Sequence, residues 1–155
     1  MLHADAAATS TNPNVAALAR GYALWAESKG GSIDEVLDLM DEDIVMQSLA
    51  PQEVPHPLAG IHSRKEGARA YFDALSAEWE MLDWVSERFI VDSDGDDIVV
   101  IGRCHWRHRE SGREVASPKV DIWHFDGGKA TRFFETFDTL GFAAAAGLAT
   151  VHPPA

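Results

Sequence analysis

The chain has 155 residues, 46% of them hydrophobic, and a formal charge of −12. That length supports one domain with a real core, while the acidic balance argues against nucleic-acid partners and anionic membranes, which attract basic surfaces. A single cysteine excludes an intrachain disulfide. No leader-like segment opens the sequence and no apolar run nears the roughly 20 residues of a bilayer span, so the expected setting is cytoplasmic.

Residues 1–12 (MLHADAAATSTN) are small and polar, the composition of a disordered tail. From Pro13, the residues Val15, Leu18, Tyr22 and Trp25 recur at helical spacing until Gly30-Gly31. Ser32 to Glu35 reads as a capping box for a short second helix, with Val36, Leu37 and Met40 on its buried side. Asp41-Glu42-Asp43 is then a turn, and Ile44 to Leu49 a short strand. Three prolines within residues 50–62 exclude a regular element, and this loop, carrying His56 and His62, is a candidate pocket rim. Ser63 to Glu66 is a second capping box, opening a helix that carries Tyr71, Phe72, Leu75 and Trp79. After Glu80 come four strands, turning at residues 93–96, 110–112 and 126–129. The run GFAAAAGLATVHPPA offers one loose helical turn, with His152-Pro153-Pro154 irregular. Helices early and consecutive antiparallel strands late define the α+β class. The expected division is a tail at 1–12, a domain at 13–142 and a second tail at 143–155.

The stretch from Lys119 to Thr139 carries the chemistry. Gly127-Gly128 supplies a tight hairpin turn, and the two arms place Asp121 and Glu135 among large aromatics. Alternation groups Lys119, Asp121 and Trp123 on one face, and Phe133, Glu135 and Phe137 on one face of the second arm. Periodicity alone would turn Val120 and Ile122 to the core and leave Asp121 solvated. For Glu135 the competing reading is an ion pair with Lys119 or Arg132. Two nearby acids can also work as an acid/base pair, since one desolvated carboxyl stays protonated while the other is charged. Cys104 and His108 alternate away from His105 and match no metal-ligand spacing, so no metal is expected. Arg103, His105, Arg107 and Arg109 form the one basic stripe, expected as a solvated or dimer-forming outer face. No phosphate loop, dinucleotide fingerprint or nucleophile elbow occurs, and no cofactor is expected.

Four segments, GGSIDEVLDLM, DEDIVMQS, GIHSRKEGARAYFDAL and VDIWHFDGGKATRFFETFDT, resemble in order and spacing the superfamily of ketosteroid isomerases and SnoaL-like polyketide cyclases. Its cystatin-like roll is shared with nuclear transport factor 2. The resemblance spans roughly Val15 to Thr139. It implies three N-terminal helices packed on a curved, mostly antiparallel sheet that encloses a conical pocket, and a homodimer. In the isomerases the aspartate matching Asp121 points into the pocket and stays protonated to donate to an oxyanion, a textured case of pKa tuning by an apolar site. In the cyclases an aspartate in this region is a general acid/base.

The same likeness places Phe133, Glu135 and Phe137 on the cavity wall, Trp123 beside Asp121, and Tyr22 at the isomerase's oxyanion tyrosine. The aromatics Tyr22, Trp25, Tyr71, Phe72 and Trp79 read first as core that covers the sheet. Trp25, Ser48, Tyr71, Trp79 and Trp106 are also the candidates to line the cavity, with the tyrosine hydroxyls available to a ligand. Ser48 falls where the isomerase has its base aspartate. A serine hydroxyl is far too weak a base for that proton, so steroid isomerisation by the usual route is not expected. The expected ligand is a small hydrophobic or polycyclic molecule. The expected chemistry is proton transfer beside a carbonyl by Asp121, Glu135 and Tyr22, of isomerase, cyclase or dehydratase type. The alternative is a non-catalytic ligand-binding or dimeric interaction domain of the same fold.

Overall fold

The computed structural model describes residues 1–152, so Pro153 and Pro154 of the expected irregular end lie outside the described residues. In chain order the elements are β1 (Leu2–His3), α1 (Ala4–Ala8), α2 (Pro13–Glu27), α3 (Ile33–Asp38), β2 (Met40–Ser48) and β3 (Ile61–Ser63). There follow α4 (Arg64–Glu78), β4 (Trp79–Val91), β5 (Asp97–His108), β6 (Glu114–Asp126), β7 (Lys129–Thr136) and α5 (Thr139–Ala145). Seven strands form one sheet in the order β1-β4-β5-β6-β7-β2-β3. Every neighbouring pair is antiparallel except β2 with β7. This is the expected α+β roll.

The helices α2 and α4 lie across the inner face of the curved sheet. They contribute Val15, Leu18, Tyr22 and Trp25 from one, and Ala68, Tyr71, Phe72 and Leu75 from the other. Opposite them stand the buried inner residues Phe89, Ile98, Trp123, Phe125 and Phe133. The start of α2 is set by Asn12, whose Oδ1 accepts the amides of Asn14 (2.9 Å) and Val15 (3.1 Å), with Pro13 fixing the first helical residue.

Local expectations fail in four places, each for a physical reason. Neither Ser32 nor Ser63 makes a side-chain cap; Ser28 Oγ accepts the Gly31 and Ser32 amides instead, leaving the Ser32 hydroxyl buried without a partner. Asp41-Glu42-Asp43 is no turn but part of β2, which slips register against β7 between Met40 and Val45; an irregular strand leaves these acids their solvent exposure. Residues 1–12 are not a loose tail: Leu2 and His3 pair with Phe89 and Arg88, and Ala7 is fully buried. An alanine-rich segment has little side-chain entropy to lose and fits where bulk would not. Trp79 is not on the helix. It is the extended residue that ends α4 and begins β4.

On the outer face Arg103 meets Glu87, while Arg107 meets Glu80 and Glu114, so the basic stripe is paired along much of its length. No helix among the described residues is long and apolar enough to cross a membrane.

Strand β4 slips register against β5 between Met81 and Asp83 and again between Ser86 and Arg88, irregularities of the kind that bend a strand. Gly102 sits opposite the second slip, and a Cβ there would collide with the Val85 carbonyl oxygen, a backbone atom that cannot rotate away. Gly102→Ala should therefore cost about 1–3 kcal/mol, read as a lower urea midpoint. Unchanged stability would show that the bend is not held by this contact.

Candidate functional site

The hairpin of β6 and β7 pairs Asp121 directly with Glu135 and Trp123 with Phe133. Directly paired residues share a sheet face, so both carboxylates point inward, beneath α2 and α4. Lys119 is two residues before Asp121 and must share that face. The three charged groups are buried, with relative exposures of 8% for Lys119, 2% for Asp121 and 5% for Glu135. Lys119 Nζ lies 2.7 Å from Glu135 Oε2 and 2.8 Å from Asp121 Oδ1. It also lies 5.6 Å and 5.7 Å from the ring centres of Trp84 and Phe137.

The two carboxylates differ in what holds them. Glu135 accepts from Lys119 Nζ on Oε2 and from the Tyr71 hydroxyl on Oε1. Asp121 Oδ2 accepts from the Tyr22 hydroxyl at 2.5 Å, and Trp123 Nε1 donates to that same hydroxyl oxygen at 2.9 Å. Asp121 Oδ1 faces the Lys119 ammonium at 2.8 Å, so the one cation bridges both acids. A carboxylate oxygen so held retains a second lone pair.

Burial pushes the Asp121 carboxyl above the usual aspartate range, and the Glu135 charge adds to this against the opposing pull of Lys119. Burial works against the Lys119 ammonium, but Asp121 and Glu135 together outweigh it and hold the group charged. Burial, reinforced by the carboxylates, keeps both tyrosines in the phenol form. One ammonium neutralises one carboxylate, so the cluster is electrically neutral when the second carboxyl is protonated, and Asp121 is the group whose pKa moves that way.

These groups line one cavity. The cavity has a volume of about 60 Å³ and opens to solvent at a mouth. Its wall is largely apolar and includes Trp25, Trp106, Trp123, Phe133 and Phe137. The structure thus brings Asp121, Glu135, Tyr22, Tyr71 and these five aromatics to one place. Two expected residues are elsewhere. Ser48 shares the inner face with its partner Glu135, but its Oγ turns back to accept the Ala50 amide at 3.3 Å and does not line the cavity. Trp79 packs against Phe142 and His108 instead. The 50–62 loop is fixed in part by His56 Nε2, 2.9 Å from Glu78 Oε2.

Sequence reasoning left out Lys119 as a pocket residue, although alternation already tied it to the face of Asp121. It also left out Trp84, Cys104 and Phe142, which line the cavity. The Cys104 thiol is pushed up to about 11 by burial, which keeps it an inert wall residue.

The profile of the SnoaL-like domain matches residues 18–133. No curated protein matches the sequence significantly. An NTF2-like protein of unknown function from Burkholderia pseudomallei superposes with a TM-score of 0.74 at 22% identity, over 86% of this chain and 96% of that one. A proposed isomerase from Bacillus subtilis gives 0.74 at 15% identity, over 90% and 96%. TerC, co-crystallised with polyporic acid, gives 0.71 at 24% identity, over 86% and 97%. Identities this low carry the fold and nothing finer.

Lys119→Met leaves two buried carboxyls without their cation. The variant should lose about 3–5 kcal/mol at neutral pH. Removing the cation raises the folded-state carboxyl pKa, and such a group favours the folded state below its unfolded pKa and loses that advantage as pH rises through the folded value. The deficit should therefore narrow on acidification from neutral towards about pH 5, followed by urea melts across that range. A deficit that widens in acid would contradict this account of the cluster.

Proposed function

This chain belongs to the SnoaL-like domain family, and we propose that its cavity binds a small, largely apolar carbonyl compound and transfers a proton at the carbon beside the carbonyl. The observation that carries this reading is Asp121. Its Oδ1 is buried against the shared Lys119 ammonium, its Oδ2 is held by Tyr22, and a largely apolar wall surrounds both. A protonated Asp121 in that setting donates to a carbonyl oxygen as negative charge develops there.

Glu135 is the complementary base. Each of its oxygens has one partner, and each retains a lone pair. In the proposed step the carbon–hydrogen bond breaks towards Glu135 while the carbonyl oxygen takes the Asp121 proton. Lys119 and Tyr71 orient Glu135. Tyr22 fixes Asp121 and is fixed in turn by Trp123. Enol formation of this kind is the shared first step of isomerase, cyclase and dehydratase chemistry beside a carbonyl. TerC's crystallisation with polyporic acid makes an aromatic ligand a reasonable first class to screen.

Exchange of the α-protons of 2-tetralone in heavy water, followed by proton NMR, tests the reading directly. The wild-type protein should accelerate exchange, and Asp121→Asn should lower that acceleration by about 10²–10⁴-fold with its circular dichroism unchanged. If 2-tetralone saturates the wild type by tryptophan fluorescence yet exchanges at the background rate, the protein is a binding domain. The displacement of Ser48 from the cavity is the feature that favours that second reading.

The proposal includes a homodimer through the outer sheet face. Ile90 pairs with Val99, Val99 with Ile122, and Ile122 with Phe134, which sets one apolar row across four strands. Ile90 and Ile122 are each 40% exposed. Wild-type protein at micromolar concentration should sediment as a dimer, and Ile122→Lys as a 16.9 kDa monomer. A wild type that sediments as the single chain would end the dimer proposal.

A further inference from the structure

Phe137 and Phe142 line the cavity described above and also a second chamber beyond it. Their rings meet edge to face with centres 4.9 Å apart, forming a shared wall. The second chamber has a volume of about 50 Å³. Its lining comes from two separate segments, the loop through Val54 and Leu58 on one side and Ala143, Ala146 and Leu148 on the other, with Trp79 between chain ends of α4 and β4. The lining is almost wholly apolar.

The α5 helix that bounds this chamber is tied down. Asp138 Oδ1 accepts the Gly141 amide at 2.9 Å, and Ser111 Oγ and Arg113 Nη1 donate to the carbonyls of Ala145 and Ala144. Passage between the chambers therefore falls to the side chains of Phe137 and Phe142, since the helix backbone is held. A second, independent observation concerns Trp79. It is only 2% exposed, and its Nε1 donor has no partner. A buried N–H without an acceptor carries its full desolvation penalty, which a ligand oxygen would relieve.

We infer that the ligand is bipartite: a carbonyl head at Asp121 and an apolar tail that passes between Phe137 and Phe142 into the second chamber, where an acceptor atom on the tail takes the Trp79 N–H. This rests on the carbonyl reading of the first cavity and names the ligand class more closely, as an elongated ketone with an ether or carbonyl oxygen along its chain.

Acetophenone and octanophenone, titrated against tryptophan fluorescence, separate the two chambers. Octanophenone should bind the wild type more tightly, by up to about fourfold per methylene buried. Ala59→Phe and Ala146→Phe fill the second chamber from its opposite walls. Each should erase the chain-length gain and leave acetophenone affinity unchanged, and because they lie on different segments, a folding defect in one leaves the other to decide. An octanophenone analogue with an ether oxygen in its chain should bind the wild type more tightly than octanophenone, and Trp79→Phe should remove that difference. If the gain survives both filling substitutions, the tail does not enter this chamber and the inference falls alone. If acetophenone itself fails to bind the wild type, the carbonyl reading falls and takes the inference with it.

Discussion

The site depends on one ammonium group shared between two buried carboxylates. Asp121 and Glu135 face each other across a β-ladder inside an apolar cavity, where two bare charges would repel at low dielectric. Lys119 makes the pair tolerable, and the two tyrosines complete it by donating one hydrogen bond to each acid. Such a cluster is a poor way to stabilise a fold, because apolar side chains of equal volume usually do as well or better. Its presence in the middle of a largely apolar wall is therefore more readily explained by chemistry than by stability.

The surrounding architecture serves this cluster. Gly102 is the β5 partner of Lys119, so the position beside the lysine stem on the inner face carries no side chain. The same glycine lies against the second register slip of β4. The two tyrosines come from different helices, Tyr22 from α2 and Tyr71 from α4, so each helix is tied to one acid of the hairpin. Helix packing and acid orientation are thus the same set of contacts, and a shift of either helix would free one carboxyl oxygen.

Much of this was legible in the sequence. The hairpin turn and the helical stripes follow from glycine placement and from periods of two and 3.6, whereas the inward direction of Asp121 came from the family resemblance, since periodicity alone left it solvated. What was not legible has physical causes. The capping box at Ser32 did not form because Ser28, one turn earlier, already accepts the Ser32 amide that Glu35 was expected to reach. Trp79 has a helix-compatible spacing, yet the backbone turns extended at that residue and carries the ring away from the first cavity. Lys119 was legible as an ion-pair partner for Glu135, and that pair forms, but buried inside the cavity on the face it shares with Asp121.

The unequal bonding of the two acids is what separates their roles. Glu135 has a donor on each oxygen, one of them the Lys119 ammonium. Asp121 has one donor from a neutral phenol on Oδ2, and its Oδ1 faces the same ammonium. A symmetric pair would share one proton and offer a substrate no defined acid. Here burial raises the Asp121 carboxyl, so on the proposed reading the proton resides there. The proposed acid is therefore Asp121, on β6, rather than a residue of β2, where Ser48 has turned its hydroxyl to the backbone.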